Sequence, residues 1–389
     1  MPHEPSLLRS PVGDSTGNGL RAIASGTIPS RMPALVSVAL TLLLAQDVAP
    51  PLPPPDSNRA TPSLSAPDDP GWNALLATCR MPPPPRGGGA GRGGARGGPP
   101  PPAREYQVTF IPDVIAAGQR WKFLWQEAGN NGDGIVGTND GGLLIAQNDN
   151  SRVVKLDRSG KPSVVYTDTR TGGSLSINSK GDLFVVQRAL HTAIAQLAPR
   201  RRVLAQTYQG DPLDCTGLNP NDLAADRNGG VYFTQGGVYY ANPRGVVSKY
   251  GENITPNGII LSRDEKVLYV TNGPTLASFD VQTDGSLTNQ RTFAKLEGGG
   301  NGDGSTIDAD GRIYVTTNPG VQVIDRNGKY LGLIPTPRPV ISVAFGGPGK
   351  KTLFVLARGA RDASGGEVAN AAQVYAITTI AKGYLGRPK

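Results

Sequence analysis

Four residues with side-chain oxygens, Asp133, Asn221, Asn257 and Asp303, recur at one place in four successive copies of a repeated segment. Two carboxylates and two amide carbonyls are hard donors, the kind of set that holds a divalent cation. Calcium is the first expectation, with zinc, magnesium or manganese as alternatives, because the same oxygens accept each to some degree. The chain has two histidines, His3 and His191, too few for a histidine-built zinc centre. A carboxylate beside such a cation can take the proton of an attacking water, which makes Asp303 the first catalytic candidate and Asp133 the second.

The register comes from the most apolar strand of each copy. Leu143, Leu183, Val231, Leu268, Ile313 and Leu353 lead runs of the type LLIAQ, LFVVQ, VYFTQ, LYVTN, IYVTT and LFVLA, spaced by 40, 48, 37, 45 and 40 residues. Counting back 10 residues, or 11 in the fourth and sixth copies, lands on Asp133, Gly173, Asn221, Asn257, Asp303 and Ser342. Blades arranged around one axis would bring those oxygens together. Asn and Asp also favour turns for their own sake, and that explanation suffices for Asn139, Asp140, Asn228 and Asp310 in NDGG, RNGG and ADGR. It does not explain a common offset at the other end of the strand. Glu127 competes with Asp133 but lies six residues earlier, and Asp222 is expected on the opposite face of its strand in a structural role.

These residues must be carried by an all-β frame. A period near 40 to 50 residues with several short strands per copy predicts a six-bladed β-propeller over 105–389. No helical pattern of 10 to 15 residues separates the strands, which excludes barrel and doubly wound α/β folds. The segment REYQVTFIPDVIAAGQRWKFLW ahead of the copies is expected to lend a strand to the last blade and close the ring.

The formal net charge is +8, but the residues before Arg104 hold 8 basic and 6 acidic groups and the rest 31 and 25. With no concentrated basic patch, nucleic acid is not an expected partner. The extension 1–49 contains an apolar run within 32–46, following Arg31, which is too short to span a bilayer and suits a signal-peptide core. A periplasmic or secreted protein without a stable membrane span is therefore expected, with the cleavage site and Met32 as an alternative start both open. Residues 50–104 read as a Pro/Gly/Arg-rich linker, with a short helix around Trp72 and the tract PPPPRGGGAGRGGARGGPPPP. An RGG tract can bind RNA, but without aromatic residues among its glycines a solvated tether is the better reading. Cys79 and Cys215 can pair or stay as free thiols.

The segments LNPNDLAADRNGGVYFT, ITPNGIILSRDEKVLYVTN, GNGDGSTIDADGRIYVTTNPGVQVIDRNGKYLGLIPTP and VAFGGPGKKTLFVLA together resemble the senescence-marker-protein/gluconolactonase superfamily, which includes regucalcin-like proteins and bacterial lactonases. The likeness covers most of 215–357, is looser over 130–210, and is absent before about residue 105. It implies one catalytic divalent metal in the central channel, with Asn221 of PND, Asn257 of PNG and Asp303 of DG at the metal. The first copy departs from the family pattern: NGDGIVGTNDGGLL stands where a glutamate motif is usual, which puts Asp133 there. The basic cluster that binds sugar hydroxyls in the gluconolactonases is also missing, and QRALHTAIAQLAPRRRV leaves Arg188 and His191 as substrate-binding candidates. The activity so implied is metal-dependent hydrolysis of a lactone, possibly a sugar lactone, or a related ester. Alternatives are phosphotriester hydrolysis at the same site, a non-catalytic binding propeller with a structural metal, and an RNA-associated propeller.

Overall fold

Each copied segment folds into one four-stranded antiparallel sheet whose strands follow chain order from the axis outward. In a computed structural model describing residues 48–54, 61–81, 83 and 102–386, blade 1 comprises Ile135–Gly137, Leu143–Gln147, Arg152–Leu156 and Pro162–Tyr166. Blades 2 to 5 begin with Gly172–Ile177, Leu223–Ala225, Pro256–Leu261 and Ser305–Ile307 and repeat the pattern. Blade 6 has Val340–Gly346, Thr352–Arg361 and Glu367–Thr378, and takes its outer strand, Lys122–Ala128, from ahead of blade 1. That strand pairs antiparallel with Phe123 opposite Tyr375 and Ala128 opposite Ala371. The ring is thus closed by the start of the propeller, as the sequence predicts.

The apolar runs that set the register are the second strands, and they are continuous rather than alternating because both faces of each sheet are covered by neighbouring blades. Val136, Leu144 and Ala146 of blade 1 pack on Leu175, Leu183 and Val185 of blade 2. Tyr232 and Val238 of blade 3 pack on Ile259, Leu268 and Val270 of blade 4. The core is therefore a series of inter-blade layers. The first two strands of blades 1, 2, 3 and 5 are joined by the expected Asn/Asp/Gly turns, while SRDEK and GPGKK turn blades 4 and 6; in blade 3, Asp226 Oδ1 accepts hydrogen bonds from the Asn228 and Gly230 amides at 2.7 and 2.9 Å. Gly229 in that turn has φ +90°, which a residue with a Cβ adopts poorly. Asn139, Asp140, Asn228 and Asp310 all lie in such turns, away from the channel end carrying the four repeated residues.

The stretch before the propeller is less of a free spacer than its composition predicts. The Leu52 amide donates to the Arg361 carbonyl at 2.7 Å, and Leu52 is buried against Ala360 and Ala371. Farther on, the Ser63 amide reaches the Asp149 carbonyl at 2.7 Å and the Ala66 amide reaches the Arg188 carbonyl at 2.6 Å. A short helix, Trp72–Leu76, buries Trp72 and Leu75. Cys79 and Cys215 form a disulfide. The physical reason is that 61–81 carries enough apolar side chains to bury, unlike the glycine tract after it. The apolar run 32–46 and most of the RGG tract lie outside the described residues. Among the described residues, no helix is long and apolar enough to cross a membrane.

Candidate active site at the channel mouth

The six equivalent positions are linked in order around the axis, directly or through an adjoining residue or Arg188. Following Asp133, the Gly134 amide donates to the Gly173 carbonyl at 2.8 Å. Gly173 has no side chain, and its place is taken by the Arg188 guanidinium, whose carbon would lie 2.0 Å from a Cβ built there. Asn221 Nδ2 donates to Asn257 Oδ1. A Cβ on Gly258 would sit 2.1 Å from the Asp303 carbonyl oxygen, so the backbones of blades 4 and 5 nearly touch. The Gly304 amide donates to the Ile341 carbonyl at 2.9 Å, and the Ser342 hydroxyl accepts from the Ile135 amide at 3.2 Å, returning to blade 1. The shared offset is thus a shared height in the channel.

Arg188 is the hub of one side. Its Nη1 is ion-paired with Asp133 Oδ2, with side-chain exposures of 11% and 19%. Its Nη2 donates to Asn221 Oδ1 at 3.1 Å and to the Asn221 carbonyl at 2.8 Å, while Nε donates to the Pro220 carbonyl at 2.8 Å. A guanidinium supplies such a fan of donors in one plane. Asp133 Oδ1 accepts no hydrogen bond among the described residues.

Asp303 lies on the other side, and its carboxylate also accepts no hydrogen bond among the described residues. Part of it remains accessible, yet the surrounding protein strips most of its water. Burial first, and then the negative charge of Asp133, push its pKa up to about 7, against the opposing pull of Arg358 and Arg188. An acid poised near neutrality suits proton transfer or cation binding.

Asp222 is structural, as expected. It accepts from the Ser174 hydroxyl, from the Leu223 amide at 2.9 Å and from the Ile259 amide at 2.9 Å, tying blades 2, 3 and 4 together. His191 is not brought to the ring: its side chain is exposed and its backbone amide donates to Asp214 Oδ1 at 3.1 Å. Glu127 is occupied at the rim by Gln147, Asn150 and Arg152. Arg358, whose charge acts on Asp303, is a further site residue that carries a signal in the sequence. It stands five residues after Leu353, as Arg188 stands five after Leu183.

The donor chemistry fits a hard divalent cation. Among the described residues Asp303 and Asp133 Oδ1 accept no hydrogen bond, while the amide oxygens of Asn221 and Asn257 accept from Arg188 Nη2 and Asn221 Nδ2, bonds they would yield or share with the ion. Among the described residues there is no cluster of three or more His, Cys, Asp or Glu side chains, so amide oxygens would have to complete such a site.

With that geometry established, a family profile described as the SMP-30/gluconolactonase/LRE-like region matches residues 163–358. The chain belongs to this family. As a family member it is 28% identical over 218 residues to a gluconolactonase of Zymomonas mobilis, covering 47% of this chain and 60% of that protein. It is 32% identical over 163 residues to a pentonolactonase of Haloferax volcanii, covering 38% and 56%. The chain therefore spans somewhat over half the length of these two relatives. Among solved structures, a gluconolactonase of Xanthomonas campestris superposes with a TM-score of 0.59 at 22% identity, covering 72% of this chain and 97% of that one. A calcium-binding protein from Agrobacterium tumefaciens, described as regucalcin, superposes at 0.54 with 19% identity, covering 69% and 95%. These structural likenesses establish the fold.

Proposed function

We propose that this protein hydrolyses lactones or closely related carboxylic esters at the channel mouth, with a sugar lactone as the leading substrate class. The observation that carries the reading is the Asp303 carboxylate, which accepts no hydrogen bond among the described residues and is poised near neutrality opposite the Arg188–Asp133 pair. Membership of the family, and the lactonase names of its relatives, support it.

Asp303 accepts a proton from water as the water's oxygen bonds to the lactone carbonyl carbon. Arg188, anchored through Pro220 and Asn221, orients a hydroxyl or carbonyl oxygen of the substrate by donating the Nη1 N–H not used by Asp133. Asn221 and Asn257, neutral and mutually bonded, hold the middle of the ring without adding negative charge. The oxygens of Asp133, Asn221, Asn257 and Asp303 would hold a divalent cation, calcium first. When bound, such an ion would polarise the carbonyl and make water a better nucleophile. The proton taken by Asp303 then passes to the departing alkoxide as the ring C–O bond breaks.

Export to the periplasm or exterior is part of the same proposal, supported by the apolar run 32–46 and the Cys79–Cys215 disulfide, a bond that persists in oxidising compartments.

The deciding experiment is hydrolysis of aldono-, aliphatic and aromatic lactones by the purified chain, with and without chelator and after restoring calcium, zinc or manganese. Turnover that chelator abolishes and one metal restores is expected. Absence of lactone turnover across all metals would overturn the reading, and a parallel phosphotriester panel would then identify the alternative ester class.

A further inference from the structure

The Gly173 slot, filled by Arg188, is framed by two residues that both bond to the segment ahead of the propeller. The Arg188 carbonyl accepts from the Ala66 amide at 2.6 Å. Thr171 Oγ1 donates to the Leu64 carbonyl at 2.9 Å, and the Thr171 amide donates to Ser151 Oγ at 2.8 Å. Ser151 is in turn bonded to Ser63, hydroxyl to hydroxyl, at 2.7 Å. Thr171 is β-branched yet has φ +57°, and Arg170 and His191 nearby have φ +53° and +63°. Such a run of left-handed residues persists where surrounding contacts over-determine it. Arg170 is held by the Leu190 carbonyl and the Arg188 and Ala189 amides, and His191 by Asp214, whereas Thr171, directly and through Ser151, is held by residues 63 and 64.

The same segment is fastened at its far end. Ala66, Trp72, Leu75 and Cys79 are buried, Cys79 is bonded to Cys215, and Arg80 is ion-paired with Asp211 at 3.0 Å. Cys215 lies six residues before Asn221. The segment therefore runs from the blade 1 loop past Arg188 to the stretch leading into Asn221, and lies outside the 163–358 region that the family profile matches.

We propose that residues 61–81 form a strap that determines substrate specificity: locked by the Cys79–Cys215 disulfide, it fixes the backbone of Arg188 and Thr171 and so holds Arg188 in the Gly173 slot. Its residues are positioning residues, acting through Arg188 rather than touching the reacting atoms. The lactone arm of the test rests on the function proposed above, whereas the structural arm does not.

The test uses the full chain with Cys79→Ser and Cys215→Ser combined, and separately Thr171→Val, which keeps the side-chain shape and removes the bond to Leu64. Amide hydrogen exchange is followed across 170–192 and, as internal control, across blades 4 and 5. The expected result is at least tenfold faster exchange at 170–192 in the double-serine variant, with blades 4 and 5 unchanged and a smaller increase in Thr171→Val. On lactones, KM for hydroxyl-bearing substrates should rise about tenfold while kcat changes less than threefold, and KM for unsubstituted aliphatic lactones should hardly move. Unchanged exchange at 170–192 in the double-serine variant would overturn the proposal, as would faster exchange with KM unaltered for every lactone that the wild type turns over. If the wild type hydrolyses no lactone, the lactonase reading fails alone, and the exchange result still decides whether the strap holds Arg188.

Discussion

Arg188, from blade 2, is ion-paired with Asp133 of blade 1 across a slot left open by Gly173. The pair is nearly buried, so neither charge can lose the other cheaply. It places a positive group at the one position of the ring where the repeat supplies no side chain.

Replacing Arg188 with methionine keeps much of the volume and removes the donors. Loss of charge-assisted hydrogen bonds worth about 1.5–3 kcal/mol should raise KM for hydroxyl-bearing lactones roughly 10- to 100-fold. Steady-state kinetics on paired hydroxylated and unsubstituted lactones checks this. An equal loss on both substrates would instead mean that Arg188 supports the site as a whole.

Asp303→Asn should lower kcat by about 10²-fold or more, the usual scale for loss of a positioned base, while the thermal transition persists. Asp303→Ala and Asn257→Ala should also weaken binding of calcium measured by calorimetry. A variant that keeps wild-type affinity would remove that residue from the cation site.

Asp303 also predicts a pH dependence of stability in the metal-free protein. Folded, it keeps its proton up to about pH 7, whereas the unfolded chain releases it near 3.8. Between those values the folded chain binds more protons, so this group's contribution falls as pH rises through the window and stays low above it. Urea unfolding in chelator at pH 5 and 8 should show a larger Asp303-dependent loss at pH 8. Asp303→Asn should flatten it.

Gly258→Ala tests the close approach of blades 4 and 5. A Cβ there would collide with the Asp303 backbone at 2.1 Å, and backbone cannot yield as a side-chain tip can. A cost of about 1–3 kcal/mol is expected, with loss of activity exceeding that of a comparable substitution in an outer strand. Chemical denaturation alongside lactone kinetics measures both.

Much of this protein is legible in the chain because a propeller is built by repetition. Once Leu143, Leu183, Val231, Leu268, Ile313 and Leu353 are placed in register, blade number, turn positions and the height of Asp133, Asn221, Asn257 and Asp303 follow from one offset. Asp222 was likewise readable, since neighbouring strand residues face opposite ways. Arg358 was overlooked although its offset from Leu353 equals that of Arg188 from Leu183. His191, a substrate-binding candidate in the sequence, is exposed away from the ring, on a turn of left-handed residues whose side-chain directions strand alternation does not describe.

What the sequence alone determined was the all-β repeat and the common level of Asp133, Asn221, Asn257 and Asp303, because period and strand alternation are local properties. The tertiary structure decided which donors are engaged, through the Arg188–Asp133 pair, and which carboxylate accepts no hydrogen bond among the described residues, Asp303. It also decided that 61–81 binds the propeller instead of remaining solvated, through Ala66 to Arg188 and Cys79 to Cys215. Those are contacts between segments far apart in the chain, and their strength depends on burial and mutual geometry that no local pattern records.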